Sequence, residues 1–214
     1  MKNFFKEDLA EDLLLEKWWG KNIKLELSNL AYSKMVHYTQ KARGEISGFG
    51  KIKKIGNRII VTNVKIFKQK CTSIHTSLDE ETLHLFLGRL IRRGENIGKW
   101  KLWWHSHNDF GVHWSGTDED NITRHSENSY LLSICINKNV DMIGRIDDKG
   151  QQADIPVKVL PIRGKLKENC YREVKRKVEY ERFNRRVEIC EGLETEELDT
   201  IDKLGLLTRG NYLL

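Results

Sequence analysis

The sequence predicts an α/β domain in which helices sandwich a mixed, mostly antiparallel sheet. Three observations lead there. Helical and strand patterns follow one another as α-β-α-β-β-α-β-α-β-β-β-α along the 214 residues. Strand patterns also adjoin without a helix between them, whereas a doubly wound parallel sheet needs a helix between nearly every pair. Finally, 39% hydrophobic and 32% charged residues fill one core and keep the surface wetted, which excludes disorder of the whole chain.

The elements are read in order. Phe5, Leu9 and Leu13 recur at helical spacing ahead of Trp18 and Trp19, predicting an amphipathic N-terminal helix over residues 1–21. "IKLEL" alternates like a strand, and Ser28 is placed to cap a helix through "NLAYSKMVHYTQKA". "GEISGFGKIKKIGNRIIVTNVKIF" reads as a hairpin turning at Gly56 and Asn57. In "DEETLHLFLGRLIRRGENIG", Leu83, Phe86, Leu87, Leu90 and Ile91 make an apolar helical stripe that Gly94 stops. "KWKLWWHSH" is a buried strand, and "DEDNITRHSEN" a short helix with Asp118 near its start. "YLLSICINK", "VDMIGRIDD" and "ADIPVKVLPI" supply three further strands. A long basic helix then runs from Lys165 to Ile189. The domain plan is thus an N-terminal helix (1–21), a central domain (22–162) and a basic helix with a tail (163–214).

No run of about 18 apolar residues occurs, so no transmembrane helix is expected. Acidic residues break the N-terminal apolar runs, which argues against a signal peptide. Cys71, Cys135, Cys170 and Cys190 are dispersed without CxxC pairing, so they read as core or surface thiols in a reducing, cytoplasmic setting. The formal net charge is +6, and ten Lys/Arg face five Glu between Arg163 and Glu188. That excess suits a solvated helix face, an acidic partner or nucleic acid. Val174, Val178, Phe183 and Val187 give the same helix an apolar side for the domain or a second copy.

The chemistry concentrates in "HSHNDFGVHWSGTDED". Two residues apart on a strand, His105 and His107 share a face and can converge on one ion, while Ser106 points away. Asp118 returns after a loop with a carboxylate. Two imidazoles and one carboxylate leave a fourth tetrahedral position for water, the mark of a catalytic zinc site. Ser115 has a hydroxyl able to donate to an oxyanion. Other readings stay open: Asp118 as a helix cap, Ser115 as a turn residue, His113 as a loop-surface residue or a substrate contact. Of Trp103 and Trp104, one belongs in the core and the other beside the metal, and Trp104 is a candidate substrate contact.

The pattern H-x-H, seven residues, S-x-x-D resembles the signature of the JAMM (JAB1/MPN/Mov34) metalloproteases at every signature position, as in prokaryotic or viral members. Glu45 in "GEISGFG" stands where that family carries its upstream glutamate. Asn108 stands where many members have proline. The resemblance implies a JAB1/MPN-like, cytidine-deaminase-like fold. It implies zinc held by His105, His107 and Asp118, with Glu45 as proton carrier and Ser115 stabilising the tetrahedral intermediate. It also implies hydrolysis of amide or isopeptide bonds in a ubiquitin-like protein or its conjugates. The alternatives are a non-catalytic scaffold on the same fold and a nucleic-acid-associated, RadC-like protein.

Overall fold

The computed structural model describes residues 23–127, 129–161 and 169–181. The expected N-terminal helix, Phe183, Val187 and the tail lie outside the described residues. β1 (Lys24–Leu27) leads into α1 (Asn29–Lys41). The Ser28 hydroxyl accepts the Ala31 amide at 3.2 Å, the N-cap bond expected of serine before a helix. β2 (Ser47–Ile55) and β3 (Arg58–Ile66) form the hairpin across Gly56 and Asn57. Two short strands follow, β4 (Gln69–Cys71) and β5 (Thr76–Leu78). α2 (Glu80–Arg92) starts on an Asp79 cap and ends before Gly94, whose φ of +67° is a conformation glycine adopts without strain. β6 (Leu102–Ser106), α3 (Gly116–Ser126), β7 (Leu131–Ile136), β8 (Met142–Asp148), β9 (Gln151–Asp154) and β10 (Val157–Val159) complete the central unit.

The main sheet has eight strands in the order β10-β1-β3-β2-β6-β7-β8-β9. Pairings β1·β10, β1·β3 and β6·β7 are parallel and the other four antiparallel, so the sheet is mixed and mostly antiparallel as expected. It curls: the Ile155 amide, just before β10, donates to the Gly144 carbonyl of β8 at 2.8 Å.

Strand periodicity divides the two faces. Leu102, Trp104, Leu132, Ile134 and Ile136 point to the larger core, with Ala31, Met35 and Tyr38 of α1. Trp103 and Leu131 point the other way, against Ile122 of α3. Phe67, Phe86 and Leu90 seat α2 on that second side, where Phe49 touches both smaller clusters. Each aliphatic side chain so buried contributes roughly 1.5–3 kcal/mol. Ile91, expected in the apolar stripe of α2, is instead exposed.

The long basic helix is corrected. Within the described residues it spans only α4 (Asn169–Lys177), and β11 (Val178–Tyr180) follows directly. β11 pairs in parallel with β4, which also pairs with β5, in a second, three-stranded sheet. Val178 is β-branched and starts "VEY", a better strand than helix when an edge is on offer. The apolar side of α4 is taken by the chain's own core: Cys170 and Val174 are buried there, and the Tyr38 hydroxyl donates to Glu173. Among the described residues no helix is long and apolar enough to cross a membrane.

Candidate metal centre

β6 projects Trp103 and His105 toward α3, and His107 follows at the strand's end. His105 and His107 are 2% and 4% exposed. Their Nε2 atoms lie 3.2 Å apart. Asp118 enters from the first turn of α3, its Oδ1 3.3 Å from His105 Nε2 and its Oδ2 3.7 Å from His107 Nε2. Two ligands held at about 2.0–2.1 Å by a tetrahedral ion are separated by about 3.3–3.4 Å. The His105–His107 and His105–Asp118 separations stand near that spacing, and the His107–Asp118 contact at 3.7 Å is wider.

The proton bookkeeping points the same way. His107 Nδ1 lies 3.0 Å from the Gly111 carbonyl, an acceptor only, so this nitrogen carries the hydrogen. In the neutral ring, Nε2 then holds a lone pair aimed at His105 Nε2 and the Asp118 carboxylate. Such a cluster calls for a cation between its atoms, a proton or a metal. Contact with Asp118 and Cys135 pushes the His107 imidazolium up to about 11, against the opposing effect of burial. For His105, burial lowers the pKa but Asp118 and Cys135 outweigh it and carry it to about 9. Burial works against the Asp118 carboxylate, yet both imidazoles and Ser115 hold it well below its ordinary range. These donors could hold a metal ion: two imidazoles and a carboxylate, buried, with the Nδ1 hydrogen of His107 anchored on a backbone carbonyl.

Ser115 caps α3 in a reciprocal capping box. Its hydroxyl donates to Asp118 Oδ2 at 2.6 Å, its amide does so at 2.8 Å, and Asp118's amide reaches the hydroxyl at 3.3 Å. Asp118 is thus both cap and cluster member: Oδ2 serves the helix, leaving Oδ1 toward His105. In this arrangement the Ser115 hydroxyl proton is directed at Asp118.

Glu45 arrives on the loop between α1 and β2, 9% exposed. Its amide donates to the Thr72 carbonyl at 2.9 Å. The close approach depends on Gly44, where a Cβ would stand 2.2 Å from that same carbonyl oxygen. Burial raises the Glu45 carboxyl to about 7, against the pull of His107 and His105 and with a push from Asp118. The Glu45 carboxyl is thus electrostatically coupled to both histidines and to Asp118.

The remaining candidates divide. His113 is exposed at the rim, its ring 4.7 Å from that of His107 and its Nδ1 3.0 Å from the same Gly111 carbonyl. Trp104 is not a substrate contact: it is 0% exposed and stacks on Tyr38 across the sheet from the histidines. Trp103 holds the other position, stacked on His105 with centroids 4.7 Å apart. Asn108 is buried and donates to the Ser73 carbonyl at 2.8 Å, so it pins the loop.

One residue of the cluster escapes sequence reasoning. Cys135 on β7 is the in-register partner of His105, and its Sγ and the imidazole nitrogens of His105 and His107 lie within 4.8 Å of one another. Burial opposes the thiolate, but the two imidazoles outweigh it and hold the thiol below its ordinary range.

No family model matches the chain, and no curated protein matches it. Among solved structures, the chain is similar to that of protein DSY2949 from Desulfitobacterium hafniense, at 15% identity. The match covers 64% of this chain and 92% of that one, with a TM-score of 0.48, a likeness too weak to inform the site.

Proposed function

We propose that the chain is a zinc-dependent peptidase of the JAMM type, hydrolysing amide or isopeptide bonds in a ubiquitin-like protein or its conjugates. The observation that carries this reading is the approach of His105 Nε2 to His107 Nε2 at 3.2 Å and to Asp118 Oδ1 at 3.3 Å, with the buried Glu45 carboxyl coupled to all three residues. His105, His107 and Asp118 would hold the zinc, which when bound would supply a Lewis acid and an acidified water. Glu45 would take the proton of the attacking water and hand it to the leaving amine. Burial of that carboxyl, which raises its pKa in the metal-free chain, favours the protonated form needed to pass the proton on. Ser115 orients Asp118 through Oδ2, and in this reading its hydroxyl would turn from that oxygen to donate to the developing oxyanion. The JAB1/MPN-like form of the α/β fold belongs to the same proposal.

The test is hydrolysis of ubiquitin-like fusions by the zinc-loaded chain. Chelation should abolish cleavage. Glu45→Gln should keep about one zinc and lose about 10²–10⁴-fold in rate, the usual worth of a positioned acid/base. A Glu45→Gln variant as active as the wild type would overturn the assignment.

A second reading, of a nucleic-acid-associated protein, is favoured by a separate groove. Among the described residues, Lys51, Lys65, Arg89, Arg93, Arg176 and Lys177 line a cavity of about 550 Å³ together with two carboxylates, Glu95 and Glu173. Burial and neighbouring Lys177 and Lys34 depress the Lys65 ammonium, as expected where cations outnumber anions. Binding that weakens steeply with salt would favour this reading; no DNA or RNA shift at low salt would remove it.

A further inference from the structure

We propose that Cys135 is itself a metal ligand, so that the centre takes a thiolate alongside His105 and His107; this rests on the metal reading above. The sequence places Cys135 thirty residues beyond His105, on another strand. Parallel pairing of β6 and β7 closes that separation, setting His105 opposite Cys135. In-register neighbours project to the same face, and Leu131, two strand repeats before Cys135, lies on the α3 side with Trp103. Cys135 is 0% exposed. A buried structural cysteine ordinarily packs among apolar groups. This one meets two imidazoles within 4.8 Å, a set compatible with ligation after small side-chain adjustments.

The histidine pair is therefore shared by two further donors, the Asp118 carboxylate and the Cys135 thiol. On ligation the thiol gives its proton to solvent and the sulfur bonds as thiolate. Four protein donors close a tetrahedral shell, so access of water requires the sulfur to withdraw or the shell to expand to five. A thiolate also shifts the preference toward zinc, cobalt and other thiophilic ions and away from magnesium and manganese.

Zinc-edge X-ray absorption on the full chain with one equivalent of zinc tests this directly. The expected result is one sulfur scatterer at about 2.3 Å beside nitrogen and oxygen at about 2.0–2.1 Å. A shell of nitrogen and oxygen alone overturns the role of Cys135 and leaves the metal reading standing. Failure to retain zinc overturns both. Cys135→Val should remove the sulfur and weaken zinc binding by more than the about 10–100-fold that loss of a supporting partner costs. Should that variant not fold, the triple variant Cys71→Ser, Cys170→Ser, Cys190→Ser must keep the sulfur signal, and its disappearance there refutes Cys135 as the source.

Discussion

Ser106 and Ile46 exchange two hydrogen bonds: the Ile46 amide donates to the Ser106 hydroxyl at 3.1 Å, and the Ser106 amide to the Ile46 carbonyl at 2.7 Å. Ser106 sits between the two histidines and Ile46 follows Glu45. This exchange ties the backbone beside Glu45 to the strand that carries the imidazoles. Ser106→Ala leaves the Ile46 amide buried without its acceptor, at a cost of about 1–3 kcal/mol. We expect zinc stoichiometry to hold while the hydrolysis rate falls, because the loosened element carries Glu45 rather than a ligand. Loss of zinc with an unchanged rate per bound metal would contradict this placement.

Glu45 holds its charge at a cost to the fold. Its folded pKa of about 7 lies above the unfolded value of about 4.3, so its contribution to stability declines as pH rises from the lower value through the higher one. Glutamine carries no charge to desolvate. At pH 8 the metal-free Glu45→Gln protein should be more stable than wild type by on the order of 1–3 kcal/mol. That advantage should vanish at pH 4, and thermal melts at both pH values report it. A variant less stable at pH 8 would mean that the glutamate makes a bond worth more than its burial costs.

His105 and His107 run in the same pH direction for another reason. Both are raised above the unfolded value of about 6.5, so in the metal-free protein their stabilisation is complete below that pH and is lost as pH rises through about 9 and beyond. On the proposed reading, metal would take the place of these protons. Zinc affinity should therefore increase between pH 6 and 8, with net release of protons. Calorimetry in buffers of different ionisation enthalpy measures that release, and a pH-independent affinity would show that the imidazoles are not the ligands.

Much of this was legible in the sequence, and the gaps have physical causes. Alternation in "KWKLWWHSH" placed both histidines on one face, and the Ser28 cap and the turn at Gly56 are local signals. From the sequence, Trp104 is expected on the side of the histidines, and Trp103 takes that place instead, because a buried strand is apolar on both sides and its pattern does not tell the faces apart. Cys135 was missed because its tie to His105 is a parallel pairing, whose register no local pattern encodes. β4 and β5, three residues each, are too short for any periodicity. β11 depends on the free edge of β4, so a basic stretch that reads as one helix divides at Val178.

Arg145 ties the helix that carries Asp118 to the sheet, and its removal supplies the sharpest test of that support. The guanidinium is buried, bonded to both Glu119 oxygens at 2.6 Å and to Asp147 at 2.9 Å. It also lies 5.2 Å from the Trp114 ring, which stands 5.8 Å from the His105 ring. Arg145→Ala strands the buried Asp147 carboxylate and frees α3, and removal of one partner from such a buried pair costs about 3–5 kcal/mol. Denaturant unfolding should show a loss of that size, and zinc affinity should fall with it because Asp118 is no longer held. Replacing both partners, Arg145→Met with Asp147→Leu, removes the stranded charge and should recover most of the stability while Glu119 still lacks its anchor. Zinc binding in that double variant should stay weaker than in the wild type. If Arg145→Ala unfolds within about 0.5 kcal/mol of wild type, the network is a surface ornament and the orientation of Asp118 rests on Ser115 alone.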